Sequence, residues 1–215
     1  MSETINENLI EPFLGQFVIN RIKNSNLNIN EFEKKELSIL SIDIMPFTGP
    51  IANLENYEIR NSLNYYLKIV ADCVLDNSGF IELINGSLLI CDFGLLSNDY
   101  TDNACESALK ILDEVENYNQ NAESNLKLSV CVGISTGLMD YGILGSERKK
   151  IFASFGKNRN DSQRLLYINK AYKTKIMIDE NTKNRIENKY ITKEIDRLMQ
   201  KGYGAFILYE LVGYK

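Results

Sequence analysis

A β-hairpin in the middle of the chain is the feature that most constrains the fold. Residues 79–94 read GFIELINGSLLICDFG, with a glycine, an apolar run, Asn85-Gly86 and a second apolar run. Asn-Gly between two such runs is a strong short-range signal for a tight turn between antiparallel strands. We therefore predict a hairpin here, with Ser87 directly after its turn.

The order of the other segments predicts the fold class. The predicted elements are a strand at 37–47, a helix at 57–79, the hairpin, a helix at 102–121 with Asp102 as N-cap, a strand at 126–137, a hairpin at 138–156 with Gly145-Ser146 at its turn, a helix at 160–172, a strand at 175–179, a short helix capped by Asp179 and a strand at 205–212. Such an order is typical of an α+β sandwich, in which helices pack on a mixed, mostly antiparallel sheet.

The first 36 residues predict an amphipathic helix and a connector ahead of a domain at 37–215. An apolar face is formed roughly by Leu9, Phe13, Phe17, Ile19 and Ile22. The helix carries few cations, so we expect it to pack on its own domain or on a partner rather than on a membrane surface.

Composition limits the chemistry that the chain can carry out. The net charge is −5 and histidine is absent. The charge argues against nucleic-acid binding, and the missing histidine rules out a Ser-His-Asp triad, a Cys-His pair and the usual zinc sites. The four cysteines lack CxxC spacing and are interpreted as buried hydrophobes in a reducing compartment. With no membrane-length apolar run and no signal-peptide pattern, we expect a cytoplasmic protein.

Several motifs, in order, resemble the catalytic domain of class III nucleotidyl cyclases, the adenylate and guanylate cyclase family. LSILSIDIMPFTG is similar to the first strand of that domain, and residues 79–94 are similar to its metal-site hairpin. VGISTGLMDYGILGSERKKIFASFG, NDSQR and MQKGYGAFILYEL resemble its Gly-Ile-x-Thr-Gly strand and arm, its Asn-x-x-x-Arg helix and its Lys-Gly turn with the closing strand. The resemblance runs from about Leu37 to the C-terminus and implies a ferredoxin-like, palm-type sandwich.

The resemblance also implies a reaction. In this family the ribose 3′-hydroxyl of a nucleoside triphosphate attacks the α-phosphate, giving a 3′,5′-cyclic mononucleotide and pyrophosphate. Two divalent ions, Mg²⁺ or Mn²⁺, are held by two aspartates, and the site forms across a dimer.

The first half of the site is carried over onto residues near the first predicted strand. Asp43 matches the first metal aspartate, and Ile44 matches the residue whose backbone carbonyl touches the ion. Phe47, Thr48 and Gly49 match the loop whose amides cradle the phosphates. An aspartate inside this apolar run needs an explanation, because a lone buried carboxylate is costly. The alternative to a metal ligand is an edge position at which Asp43 has access to solvent.

The second half of the site is carried over onto residues farther along the chain. Asn160 and Arg164 match the pair that orients the ribose and stabilises charge at the α-phosphate, and their spacing places both on one helical face. Lys201 matches the lysine that holds the terminal phosphates. The alternatives are an exposed polar face and an ordinary turn lysine.

One departure from the family pattern concerns the metal site. Ser87 stands where the second metal aspartate is expected. A hydroxyl is a poor replacement ligand for Mg²⁺, and losing one charge-stabilising group costs roughly 10²–10³-fold in rate. Asp92 lies five residues on and points to the opposite strand face unless a bulge intervenes, and Glu82 could reach the site only if the strand register shifted.

A second departure concerns base recognition. The two positions that read the purine in this family match Leu83 and Ala153, which cannot hydrogen-bond a base. Pyrimidine cyclases of bacterial antiphage signalling also lack the purine pair, and this chain resembles them in being a bare catalytic domain.

Three interpretations stay open at the level of sequence. The chain is an active, homodimeric cyclase with altered nucleotide choice, or a catalytically impaired subunit that binds nucleotide or completes the site of a partner cyclase, or a pure dimerisation module. Dimerisation is expected because the 138–156 arm carries apolar residues that a monomer covers poorly: Leu138, Tyr141, Ile143 and Leu144.

Overall fold

The apolar runs of the sequence become the central strands of one mixed sheet. The computed structural model describes residues 7–24, 32–44, 55–121, 127–200 and 204–215. The helices are α1 Glu7–Asn24, α2 Asn56–Asp76, α3 Tyr100–Asn121, α4 Lys157–Tyr172 and α5 Glu180–Ile186. The strands are β1 Phe32–Ile44, β2 Gly79–Asn85, β3 Leu88–Phe93, β4 Val130–Ser146, β5 Lys149–Phe155, β6 Ile176–Ile178, β7 Tyr190–Gln200 and β8 Gly204–Tyr214.

The sheet confirms the predicted α+β class. Across the described ranges the strand order is β2-β3-β1-β4-β6-β8-β7, and β5 pairs with β4 outside this path. The β4–β6 pair is parallel, and the other pairs are antiparallel. Asn85-Gly86 opens the turn between β2 and β3 as predicted, with Gly86 at a φ of +65°.

Helices cover both faces of the sheet. On one face, residues of α2, α3 and α5 pack with Leu40 and Ile42 of β1 in the largest core cluster. On the other face, Leu165 of α4 packs against Met177 of β6. Gly133 lets α4 lie directly on β4, because a Cβ at this position would come within 2.1 Å of the Ser162 carbonyl oxygen. This contact fixes the first turns of α4 above the sheet.

Strand β7 was not predicted, and two other details differ from the prediction. Asp102 is not an N-cap: α3 begins at Tyr100, and the Asp102 carboxylate instead accepts hydrogen bonds from Lys189 and Tyr190. The β4–β5 turn lies at residues 147 and 148, because strand pairing continues to Ser146↔Lys149. Asp179 caps α5 as predicted, by accepting from the Thr182 amide at 2.8 Å.

The N-terminal helix packs on the sheet only through its second half. Gly15 interrupts α1 with a φ of 74°, so the predicted apolar face is not continuous. Ile19 is buried, whereas Phe13 is 86% exposed. The Phe17 ring lies edge-on to Phe152 with centroids 5.1 Å apart. Strand β1 begins at Phe32, ahead of the predicted boundary at residue 37. The division of the chain into an N-terminal helix and a following domain stays a prediction.

Most of the expected apolar arm is covered within the chain. Tyr141 and Ile143 are buried in a cluster with Phe80 and Phe152, while Leu138 is 62% exposed. All four cysteines are free and buried, as interpreted from the sequence. None of the helices in the described ranges has the length and apolar character needed to cross a membrane.

Candidate active site

The end of the β2–β3 hairpin brings Ser87 beside Asp43. Asp43 is half-buried near the end of β1, and its Oδ1 accepts a hydrogen bond of 2.6 Å from the Ser87 hydroxyl. The Tyr66 hydroxyl of α2 donates to the Ser87 carbonyl at 2.9 Å and so anchors the turn. The two positions that match the family's metal aspartates are therefore in direct contact, although one of them is neutral.

This donor set fits one divalent ion better than two. It offers a single carboxylate, a hydroxyl, and Ile44 at the end of the same strand. The described residues contain no group of three or more His, Cys, Asp or Glu side chains placed to hold a metal. Mg²⁺ is often bound through one or two carboxylates, with water and substrate phosphates completing its octahedron. One ion completed by phosphate oxygens is therefore consistent with these residues.

A second group of predicted residues lines a cavity of about 440 Å³. Leu83 from β2, Ala153 from β5 and Asn160 from the first turn of α4 all line it. The Leu83 side chain is 36% exposed, and Asn160 is exposed. Among the described residues that line this cavity, neither Asp43 nor Ser87 is present. In the described part of the chain, Asp43 and Ser87 therefore form one group, and Leu83, Ala153 and Asn160 form another at this cavity.

Arg164 lies one helical turn after Asn160 and is held by its neighbours. Its guanidinium is 3.4 Å from the Asp161 carboxylate and lies 5.2 Å from the centroid of the Phe206 ring. Asp161 is buried and also pairs with Lys157 at 3.5 Å. Phe47, Thr48, Gly49 and Lys201 lie outside the described residues.

Sequence reasoning missed a buried polar cluster behind the cavity. The register shift that could have brought Glu82 to Asp43 does occur, between Ile81 and Leu83 of β2. The Glu82 side chain nevertheless contacts Ser154 of β5 and Arg159 of α4 rather than Asp43. The Glu82 carboxylate accepts hydrogen bonds from the Ser154 amide at 2.8 Å and the Ser154 hydroxyl at 2.9 Å. Arg159 donates to its other oxygen through both Nε and a terminal nitrogen.

Asp92 completes this cluster and does not join Asp43. It is fully buried opposite Ile39 of β1, with Oδ1 at 3.2 Å from the Ser154 hydroxyl. Its Oδ2 has no hydrogen-bond partner. Burial, and then the charge of Glu82, raise the pKa of Asp92 well above its usual value. An acid inside the apolar run LLICDFG was the available sequence signal, since buried carboxyl groups require partners.

Comparison with known proteins identifies the family of this chain. The model of the adenylate and guanylate cyclase catalytic domain family matches residues 29–213. A terminal-differentiation specific adenylate cyclase of Dictyostelium discoideum is 23% identical over 185 residues, which are 83% of this chain and 9% of that protein. The chain therefore spans a small part of that relative.

Solved structures show the same fold. The adenylyl cyclase CyaB of P. aeruginosa superposes with a TM-score of 0.77 at 22% identity, covering 86% of this chain and 97% of that one. The guanylate cyclase domain of RhGC from Catenaria anguillulae, solved in complex with GTP, gives a TM-score of 0.73 at 18% identity and covers 85% of this chain and 100% of that one. With the family match spanning most of its length, this chain belongs to the adenylate and guanylate cyclase catalytic domain family.

Proposed function

We propose that this chain is a cyclase that converts a nucleoside triphosphate to a 3′,5′-cyclic mononucleotide and pyrophosphate. The observation that carries the proposal is the division of the matching residues into two groups. Asp43 and Ser87 meet at the hairpin end, while Leu83, Ala153 and Asn160 surround one cavity. Two such half-sites suit an active site that forms between two chains.

Each group has a separate task in this reaction. Asp43, Ser87 and the Ile44 carbonyl would hold one Mg²⁺ or Mn²⁺, which supplies positive charge against the phosphates. Asn160 orients the ribose, and Arg164 stabilises the charge at the α-phosphate. Phe47, Thr48, Gly49 and Lys201 hold the remaining phosphates. The 3′-oxygen bonds to the α-phosphorus, the bond to the bridging oxygen of pyrophosphate breaks, and the hydroxyl proton leaves to solvent.

The proposed substrate is a pyrimidine nucleoside triphosphate, and the proposed setting is antiphage signalling. Leu83 and Ala153 line the cavity at the two positions that match the family's purine-reading residues. Neither side chain can form a hydrogen bond with the edge of a purine. The signalling role is proposed because pyrimidine cyclases of bacterial antiphage signalling also lack the purine-reading pair. It is tested in cells by expressing the chain with and without Asp43→Ala and scoring phage plating.

The enzymatic proposal is tested by turnover. Purified protein is incubated with ATP, GTP, CTP or UTP and Mn²⁺, and the products are separated by mass, with Asp43→Ala as control. We expect one cyclic product that the control does not make. The complete lack of product would favour the second candidate, an impaired subunit that completes a partner's site, for which the neutral Ser87 hydroxyl is the specific observation.

A further inference from the structure

The charged group that the cavity presents to a ligand is the Arg159 guanidinium. Arg159 and Glu82 both line the cavity and form an ion pair. The Glu82 side chain is only 3% exposed, whereas that of Arg159 is 24% exposed. The cavity therefore presents the Arg159 guanidinium, rather than the Glu82 carboxylate, to a ligand.

The buried cluster fixes Arg159 in this position. The Ser154 hydroxyl has one proton but lies within hydrogen-bond distance of both Glu82 and Asp92. The contact with Glu82 is the shorter, at 2.9 Å against 3.2 Å for Asp92, so Ser154 donates its proton to Glu82 and leaves Asp92 without it. The raised pKa of Asp92 agrees with this arrangement. Glu82 is thus left as the acceptor of Arg159, and its orientation is set from behind.

Arg159 keeps donors for a ligand. A guanidinium has five N–H groups in a fixed plane and accepts no hydrogen bond. Among the described residues, Glu82 is its acceptor, and it takes the Nε proton and one terminal proton. The remaining N–H groups belong to a side chain that lines the cavity beside Leu83 and Ala153, the positions matching the family's base-reading pair.

We infer that Arg159 reads a carbonyl oxygen of the nucleobase, so that this cavity selects the pyrimidines uracil and cytosine over adenine. Both pyrimidines carry a carbonyl oxygen that accepts from a guanidinium, as guanine O6 accepts from arginine in nucleic acids. Adenine has no carbonyl oxygen and accepts only through ring nitrogens beside its amino group, so it lacks the oxygen that the guanidinium would read. Leu83 and Phe152 give this part of the cavity apolar walls beside the guanidinium. The inference rests on the proposed function because it assigns the base of that same substrate.

Binding tests this inference without turnover. Equilibrium dialysis measures the affinities of the α,β-methylene analogues of UTP, CTP, GTP and ATP with Mg²⁺ for the full chain. We expect the ATP analogue to bind roughly 10- to 100-fold more weakly than the tightest of the others, the discrimination that one good hydrogen-bonding pair provides. The relative affinities of the other three identify the base.

Variants assign the discrimination to Arg159. Arg159→Gln is expected to reduce the discrimination against the ATP analogue to within about threefold, because an amide can both donate and accept. Arg159→Lys should retain part of it. Lys149→Gln on β5, which removes an exposed cation outside the cavity, is the matched control and should leave it unchanged.

The possible results distinguish a failure of the assignment to Arg159 from a failure of the proposed function. If Arg159→Gln leaves Glu82 buried without a cation and fails to fold, Glu82→Gln with Arg159→Gln replaces the ion pair by two amides and is measured instead. Analogue binding with ATP equal or preferred, or discrimination unchanged in the Arg159 variants, overturns the assignment to Arg159 while the proposed function stands. If none of the four analogues binds, the proposed function fails and this inference fails with it.

Discussion

At the scale of single residues, Ser87 determines how much negative charge the hairpin end provides. Its hydroxyl donates to Asp43, so one proton and one neutral oxygen occupy the place that a carboxylate takes in the family pattern. We predict that Ser87→Asp raises kcat with Mn²⁺ by roughly 10²-fold, because a second carboxylate strengthens ion binding and charge stabilisation. Steady-state kinetics over a range of Mn²⁺ concentrations measures both effects.

The control for this prediction is Ser87→Asn, which has nearly the size of aspartate but no charge. Tyr66 bonds to the backbone carbonyl of residue 87, so both variants keep that anchor of the turn. Equal kcat values for the two variants would show that charge at this position is not what limits the rate.

The sequence predicted residue positions better than it predicted residue partners. The proximity of Ser87 to Asp43, and that of Leu83 and Ala153 to Asn160, follow from strand and helix positions that motifs locate well. The pairing of Glu82 with Arg159 joins residues 77 positions apart and depends on the β2 register shift. A shift of this kind reverses which strand face a side chain takes, and nothing in the local pattern marks it.

At the scale of elements, the second half of α1 stabilises the sheet edge next to the cavity. Phe17 packs against Phe80 and Phe152, and Phe152 also lines the cavity. We predict that Phe17→Ala lowers the free energy of unfolding by about 1–3 kcal/mol, less than for a fully buried phenylalanine. Urea unfolding followed by circular dichroism measures the change.

Phe13 provides the matched control on the same helix. It precedes the interruption at Gly15 and is 86% exposed, so Phe13→Ala should change the unfolding free energy by no more than about 0.5 kcal/mol. Equal losses for both variants would mean that α1 contributes through helix propensity rather than through the contact of Phe17.

Helices and buried strands were predicted well, whereas β7 was missed for a physical reason. Its sequence YITKEIDRLMQ alternates poorly, because its pairing with β8 shifts register after Ile191 and after Glu194. Each shift moves the apolar side chains to the other face, which removes the period-2 signal that marks a strand. The exposed outer edge of this terminal strand also tolerates charged residues, which local patterns assign to loops.

At the scale of the whole molecule, the division of the site favours a dimer over a monomeric enzyme. The cavity that contains Asn160 does not include Asp43 among its described lining residues. Leu138 is 62% exposed on the 138–156 arm, whose apolar residues predict dimer contacts, although Tyr141 and Ile143 are buried within the chain. If the Asp43 group of one chain faces the Asn160 group of its partner, twofold symmetry makes the reverse contact as well, and a homodimer would have two complete sites.

This arrangement predicts complementation between two inactive variants. Asp43→Ala retains an intact Asn160 group, and Asn160→Ala retains an intact Asp43 group. When the two chains exchange at random, about half of the dimers contain one of each, and each of these has one complete site out of two. An equimolar mixture should therefore recover about a quarter of the wild-type rate, measured as cyclic product after the chains are mixed and equilibrated.

The control mixture combines Asn160→Ala with Arg164→Ala. Both residues lie on α4 and belong to the same half of the site, so every dimer of that mixture has a defect in each site. This mixture should be no more active than its components. Recovery by both mixtures, or by neither, would contradict an active site shared between two copies of this chain, and the search would then turn to a different cyclase chain as the partner.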